Sequence, residues 1–479
     1  MTNKDSSEKK IIPITPIEDD RETIAMYAPE KKIYPRSVSG YFSNIRWIMV
    51  WVTQIIFYGL PWLAWGQRQA VLFDLGTRRF YIFGLVLYPQ DLIYFASLLI
   101  ISAFSLFLFT AVAGRLWCGY SCPQTVYTEI FLWIEKQVCG DRSAHMRNDA
   151  ESWSFKKISR KGLKHFLWIS FSLYTGFTFV GYFTPIKELT IEIYQLNLGA
   201  WEVFWVFFYG LATYGNAGFL REQICKHMCP YARFQSAMFD KDTLVVAYDL
   251  ARGDPRGARS RKADPAQLNL GSCVDCNLCV QVCPTGIDIR NGLQYECIGC
   301  GACADVCDTV MDKMGYERGL IKYATENSML SGWSKQQIWK RIFRPRVLIY
   351  TGLLALIVGG LIYSLNDRKP FKVDVVRDRG VMARVVEGGK IENVYRLQIM
   401  NATEQIQHYS VTVSGLDGLE VVSDNHLEVG PAESRWMVLR ALLPADAAEP
   451  GSHRIKFRIF SIDMEDHDSE KSTFIVPRN

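Results

Sequence analysis

Four cysteines stand in two matching pairs, Cys118-x-x-x-Cys122-Pro123 and Cys225-x-x-x-Cys229-Pro230, each close to the end of a long apolar run. Arg115 and Arg221 lie three and four residues upstream, and an amphipathic stretch follows each pair. Proline is favoured in the first turn of a helix, so Cys122 and Cys229 are expected at helix N-caps, where the positive end of the dipole favours thiolate. Soft sulfur donors suit Cu(I), and Met228 adds a thioether beside Cys229 with His227 next to it. A single such pair packs as small apolar residues as readily as it ligates. Its repetition with proline argues for chemistry, which makes Cys118, Cys122, Cys225 and Cys229 a candidate redox centre and, with Met228, candidate copper ligands. Cys139 is expected to be structural and His165 to sit at a helix start with no role in ligation, and the apolar runs offer almost none of the facing histidines a haem would need.

Eight further cysteines fall between 273 and 307, as Cys273-x-x-Cys276-x-x-Cys279-x-x-x-Cys283-Pro284 and Cys297-x-x-Cys300-x-x-Cys303-x-x-x-Cys307. In a long chain such spacing speaks for metal and against a disulfide scaffold. The duplicated run is that of bacterial two-cluster ferredoxins, in which three close thiolates hold one [4Fe–4S] cube and the distant fourth reaches across to the other. Carried over, Cys273, Cys276, Cys279 and Cys307 hold one cluster, and Cys297, Cys300, Cys303 and Cys283 the second. Structural zinc also takes four thiolates, but the interleaved order favours iron. Asp308 replaces the second proline and removes no ligand.

The elements that must position these residues are in part membrane helices. The chain has 479 residues, is 49% apolar and carries a net charge of +5, so mixed membrane and soluble parts are expected. Five stretches approach the roughly twenty apolar residues of a spanning helix: 45–65, 92–113, 163–185, 201–220 and 347–365. The polar start offers no cleavable signal. Lys and Arg concentrate in the N-terminal tail and the 114–162 loop, which places both thiol pairs and the cysteine-rich segment on the cytoplasmic side and the C-terminus outside. After the fifth span, segments such as 394–400, 409–415, 434–441 and 453–460 alternate with period two between turn signals, the pattern of an antiparallel β-sandwich. The expected division is a tail (1–42), a four-helix membrane domain (43–240), a solvated basic connector (241–267), a two-[4Fe–4S] ferredoxin domain (268–315), a linker (316–345), a fifth transmembrane helix (346–366) and the sandwich (370–479). The fold class is thus a multi-domain integral membrane protein with an α-helical bundle.

The paired C-x-x-x-C-P motifs, "CPQTVYTEIFLWIE" after the first and "CPYARFQSAMFD" after the second, the double ferredoxin run, the fifth helix and the terminal sandwich together resemble the CcoG family, also called FixG or RdxA. The resemblance covers all but about the first forty residues. It implies a bacterial inner-membrane protein assisting assembly of the C-type (cbb-type) haem-copper cytochrome c oxidase, with cupric reductase activity and an immunoglobulin-like C-terminal domain. Copper would then be substrate or transient ligand, and oxidase assembly factors or copper chaperones the partners, beside membrane lipid. No nucleic acid is implied, a homodimer is left open, and no flavin or nucleotide fingerprint identifies the cytoplasmic electron donor. Two other readings stay open: a membrane polyferredoxin passing electrons between quinol and a respiratory reductase, and a non-enzymatic copper chaperone or scaffold.

Overall fold

The computed structural model describes residues 32–265, 267–378 and 383–477. Most of the expected N-terminal tail, including Lys9, Lys10 and Lys31, lies outside them. Among the described residues three helices are long and apolar enough to cross a membrane: Pro89–Ala113, Ala200–Met228 and Pro345–Asn366. The other two expected spans are also helical, as α1 (Tyr41–Gly59) and α6 (Phe155–Val180). They are more polar, with Asn44, Arg46 and Gln54 in the first and four lysines in the amino-terminal half of the second. Three membrane helices are therefore what length and composition alone support.

The expected fourth span runs further than its sequence suggests. After Gly215 it continues through the wider π turns Asn216–Leu220 and Ile224–Met228, so Cys225 lies on the helix instead of beyond it. Such turns occur mostly at functional sites, because they re-aim side chains without ending the helix.

The two ends of the helices carry different folded units. At one end the 66–90 segment, between two of the expected spans, forms a three-stranded antiparallel sheet of Val71–Asp74, Arg79–Ile82 and Leu85–Leu87. It supports the C-terminal sandwich, whose sheets centre on the paired strands Lys390–Asn401 with Ser434–Pro444, and Gly451–Ser461 with His467–Val476. The expected alternating segments fall on strands, 409–415 running one residue past the end of its strand at Ser414, and the inward residues Tyr395, Leu397, Ile399, Phe457 and Ile459 are fully or almost fully buried. Burial of that kind contributes roughly 1.5–3 kcal/mol per large side chain.

At the opposite end sits the cysteine-rich unit. Val245–Tyr248 pairs antiparallel with Ile321–Ala324, so segments expected as connector and linker close the ferredoxin unit on both sides. The connector is also less solvated than its composition suggests. The Arg259 guanidinium donates to the carbonyl oxygens of Gly271 and Cys273, 2.6 and 3.1 Å away. Arginine here satisfies the carbonyls of an irregular loop that has no ladder to do so.

Candidate functional site: two cysteine hollows and four membrane-edge thiols

Two helices, Leu278–Gln281 and Ala302–Met314, carry Cys279, Cys303 and Cys307, and the irregular segments beside them carry the other five clustered cysteines. Cys273, Cys276, Cys279 and Cys307 line one hollow, and Cys283, Cys297, Cys300 and Cys303 line another, which Cys279 also touches. Cys303 and Cys307 are one turn apart on a single helix, yet they face different hollows. The remaining walls are mainly apolar, with Ile289, Ile298 and Ala302 around one and Val306, Met311 and Leu320 around the other. Among the described residues no three His, Cys, Asp or Glu side chains stand at the spacing of a bare metal ion. Four thiols spread around an apolar hollow fit a cube-shaped cluster with sulfur ligands. Asp308, the departure from the proline pattern, accepts a hydrogen bond from the Gly319 N–H at 2.8 Å and so holds the return strand. Sequence reasoning missed Arg290, a buried cation on the first hollow, fixed by Asp275, Asp288 and Asn277.

Both proline-flanked thiols are helix N-caps, Cys122 on α4 (Pro123–Cys139) and Cys229 on Pro230–Met238. The two motifs meet. Cys118 lies on the short helix Leu116–Tyr120, where its Sγ stands 3.5 Å from Gln235 Oε1 on the helix that follows the second pair. Cys118 is within electrostatic reach of Cys122 and Cys225, and Cys122 of Cys229, which links all four. Met228 is 63% exposed, so most of its surface is turned away from this group. His227 is exposed too. His165 lies in the body of the helix Phe155–Val180 and not at its start, because the helix begins ten residues earlier, at the Ser154 cap; its Nδ1 is 3.0 Å from Tyr214 Oη and the ring stacks on Phe219. Cys139 is buried at the end of α4.

The expectation of thiolate at Cys122 is overturned. Burial raises its thiol above the usual range despite the pull of the Gln124 and Thr125 backbone N–H groups, and it pushes Cys118 up to about 12. The dipole acts as anticipated, but desolvation of the charged form outweighs it. Without metal these sulfurs hold their protons, and a soft metal ion must displace them.

The ferredoxin unit is docked directly on the first thiol motif. Cys118 and Cys225 pack against a buried group containing Ile298, Cys300 and Ala302. A Cβ placed on Gly119, the residue after Cys118, would stand 2.8 Å from the Gly299 oxygen and 2.9 Å from Cys300 Cα, so only glycine permits the approach. Polar groups pin the same loop. Arg115 donates to the carbonyls of Ala232 and Tyr295, Tyr120 Oη donates to Cys300 O at 3.2 Å, and Tyr323 Oη donates to Gly299 O at 2.6 Å. Asp305, between two cluster cysteines, accepts from the Phe42 and Ser43 N–H groups and caps α1. Arg221, the counterpart of Arg115, instead pairs with buried Glu135 at 2.9 Å, which Lys164 and His145 also approach.

Residues 220–326 match the 4Fe-4S dicluster domain family, residues 95–138 a 4Fe-4S binding domain, and residues 361–477 the family described as an IG-like fold at the C-terminal of FixG. Apolar spanning helices, two cysteine hollows and these matches define a membrane iron–sulfur redox protein. The nitrogen fixation protein FixG of Rhizobium meliloti (strain 1021) is 38% identical over 422 residues, 82% of this chain and 80% of that one. Protein RdxB of Cereibacter sphaeroides is 39% identical over 415 residues, 85% and 87% of the two chains. The chain belongs to the FixG/RdxA family. A crystal structure of a FixG-related protein from Vibrio parahaemolyticus is 26% identical, covers 22% of this chain and 97% of its own, and superposes with a TM-score of 0.21.

Proposed function

We propose that the chain is a cupric reductase of the bacterial inner membrane that reduces Cu(II) to Cu(I) at Cys118, Cys122, Cys225 and Cys229. The Cu(I) would serve assembly of a C-type haem-copper oxidase. The observation that carries this reading is the packing of Cys118 and Cys225 against Ile298 and Cys300, which joins one thiol of each pair to one cysteine hollow. Cys273, Cys276, Cys279 and Cys307 would hold one [4Fe–4S] cluster and Cys283, Cys297, Cys300 and Cys303 the other. Bound there, the clusters supply electrons singly, as Cu(II) reduction requires. The protein's own contribution is to keep the thiols half-buried, to offer soft sulfur that favours the Cu(I) product, and to fix the distance between thiols and hollow through Gly119, Arg115, Tyr120 and Tyr323. The basic loops support a cytoplasmic ferredoxin unit and a periplasmic sandwich, the latter free to meet assembly factors or copper chaperones.

The test is replacement of the four thiols by serine, followed by anaerobic titration of the dithionite-reduced protein with Cu(II). Loss of Cu(II) reduction and of copper binding, with the ferredoxin clusters intact by EPR, is the expected result. Unchanged reduction and binding would remove the role given to these thiols. Iron beyond that of two clusters, lost with the same serines, would instead make them ligands of an iron–sulfur group.

A further inference from the structure

A separate cavity lies between the start of α1 and α4. Trp47, Leu132 and Trp133 form its apolar wall, and the two indoles meet edge to face at 6.5 Å. Trp133 is 49% exposed where α1 enters its apolar stretch, the placement of an indole at a membrane–water boundary. Opposite them stand His145 and Arg46. Arg46 is buried and leaves its Nε without a hydrogen-bond partner. Val282 and Pro284 complete the wall, and they are the two chain neighbours of Cys283.

We propose that this cavity binds a hydroquinone, a lipid-soluble donor of two electrons and two protons, and delivers its electrons toward Cys283. The inference rests on the iron–sulfur reading and not on copper. A hydride donor gives up two electrons together, whereas iron–sulfur acceptors take them singly. A hydroquinone can part with them one at a time. Each hydroquinone loses two O–H protons and two electrons and leaves as the quinone. Two one-electron iron–sulfur acceptors take the electrons, and His145 is placed to take each proton in turn. Burial holds its imidazole below the usual range, in the neutral form that can accept a proton. Its Nε2 lies 3.5 Å from both Glu135 Oε1 and Asp149 Oδ2, and the Asp149 carboxylate is itself partly exposed to water, which gives the proton a way out.

The site is tested without clusters by irradiating the full chain in lipid nanodiscs with an azido-quinone and mapping the label by mass spectrometry. Label on 33–38, 129–136 or 140–145, displaced by excess short-chain hydroquinone, is expected, and label confined to other segments overturns the site. In cluster-loaded protein, short-chain hydroquinone should bleach the visible absorbance under anaerobic conditions. Leu132→Trp, which fills the cavity, should slow that bleaching about tenfold or more when scaled to the amplitude dithionite produces. Clusters that dithionite bleaches but hydroquinone does not, or equal rates in the variant, defeat the proposal. Failure of the copper reading shows elsewhere, as dithionite-reduced protein that Cu(II) does not oxidise.

Discussion

Gly119 is the residue on which contact between the two redox units depends. Its missing side chain lets the C-x-x-x-C segment lie against the backbone of Ile298–Cys300, and an added Cβ at 2.8–2.9 Å from three backbone atoms forces them apart. Gly119→Ala is expected to retain both clusters by EPR but to slow oxidation of the reduced protein by Cu(II) by roughly tenfold or more, since small displacements at reacting centres carry large rate penalties. A stopped-flow rate equal to that of the native chain would mean that electrons reach copper by another path. Arg115 and Arg221 show how equal sequence positions diverge. Each precedes its thiol pair, but one spans to ferredoxin carbonyls and the other neutralises a buried carboxylate.

Among the elements, α4 carries the heaviest electrostatic load. Glu135 is buried, yet Arg221, His145 and Lys164 outweigh the desolvation and hold its carboxyl below the usual range. Asp149 on the neighbouring helix is likewise depressed, its desolvation overcome by Lys32, Tyr34 and Lys161. A carboxyl with a lower pKa in the folded than in the unfolded chain contributes stability above its unfolded pKa. That stability is lost as pH falls through the folded value. Thermal stability in detergent should therefore be maintained above about pH 4 and fall steadily below it. Glu135→Gln leaves Arg221 and Lys164 without their buried partner, an expected cost of about 3–5 kcal/mol. It should lower the melting temperature at neutral pH and flatten part of the acid decline, and an unchanged melt would assign the network no stabilising role.

Across the whole molecule, the sandwich and the ferredoxin unit occupy opposite ends of the helices, and each is locked to its own end. Asp91, fully buried at the start of the second helix, pairs with Arg368 at 2.8 Å and with Lys372, which joins that helix to the first sandwich strand. Tyr88 Oη donates to Asn401 O at 2.7 Å, and Leu72, Tyr81 and Val86 pack on Met400 and Ala432. Asp91→Ala is expected to cost about 3–5 kcal/mol by stranding Arg368. Hydrogen exchange should speed up over 85–91 and 371–373, while Cu(II) reduction at the far end stays unchanged. Loss of reduction with the clusters intact would reveal coupling through the helices.

The cysteine runs and the sandwich were legible in sequence because both are short-range. Ligand spacing around a cluster is set by a few residues, and strand alternation by the direction of successive side chains. The 71–87 sheet was less visible, since Asp74, Gly76 and Arg78 interrupt short strands whose support comes from a domain about three hundred residues later. Nor could spacing show that Cys118 meets Gln235, that Gly119 meets Cys300, or that Val282 and Pro284 wall a cavity with Trp47. Those contacts join residues far apart in the chain and depend on how helices pack. At Cys122 sequence correctly anticipated the helix cap but not the charge state. The cap is a local property of Pro123, whereas desolvation depends on everything that the tertiary fold lays over the sulfur.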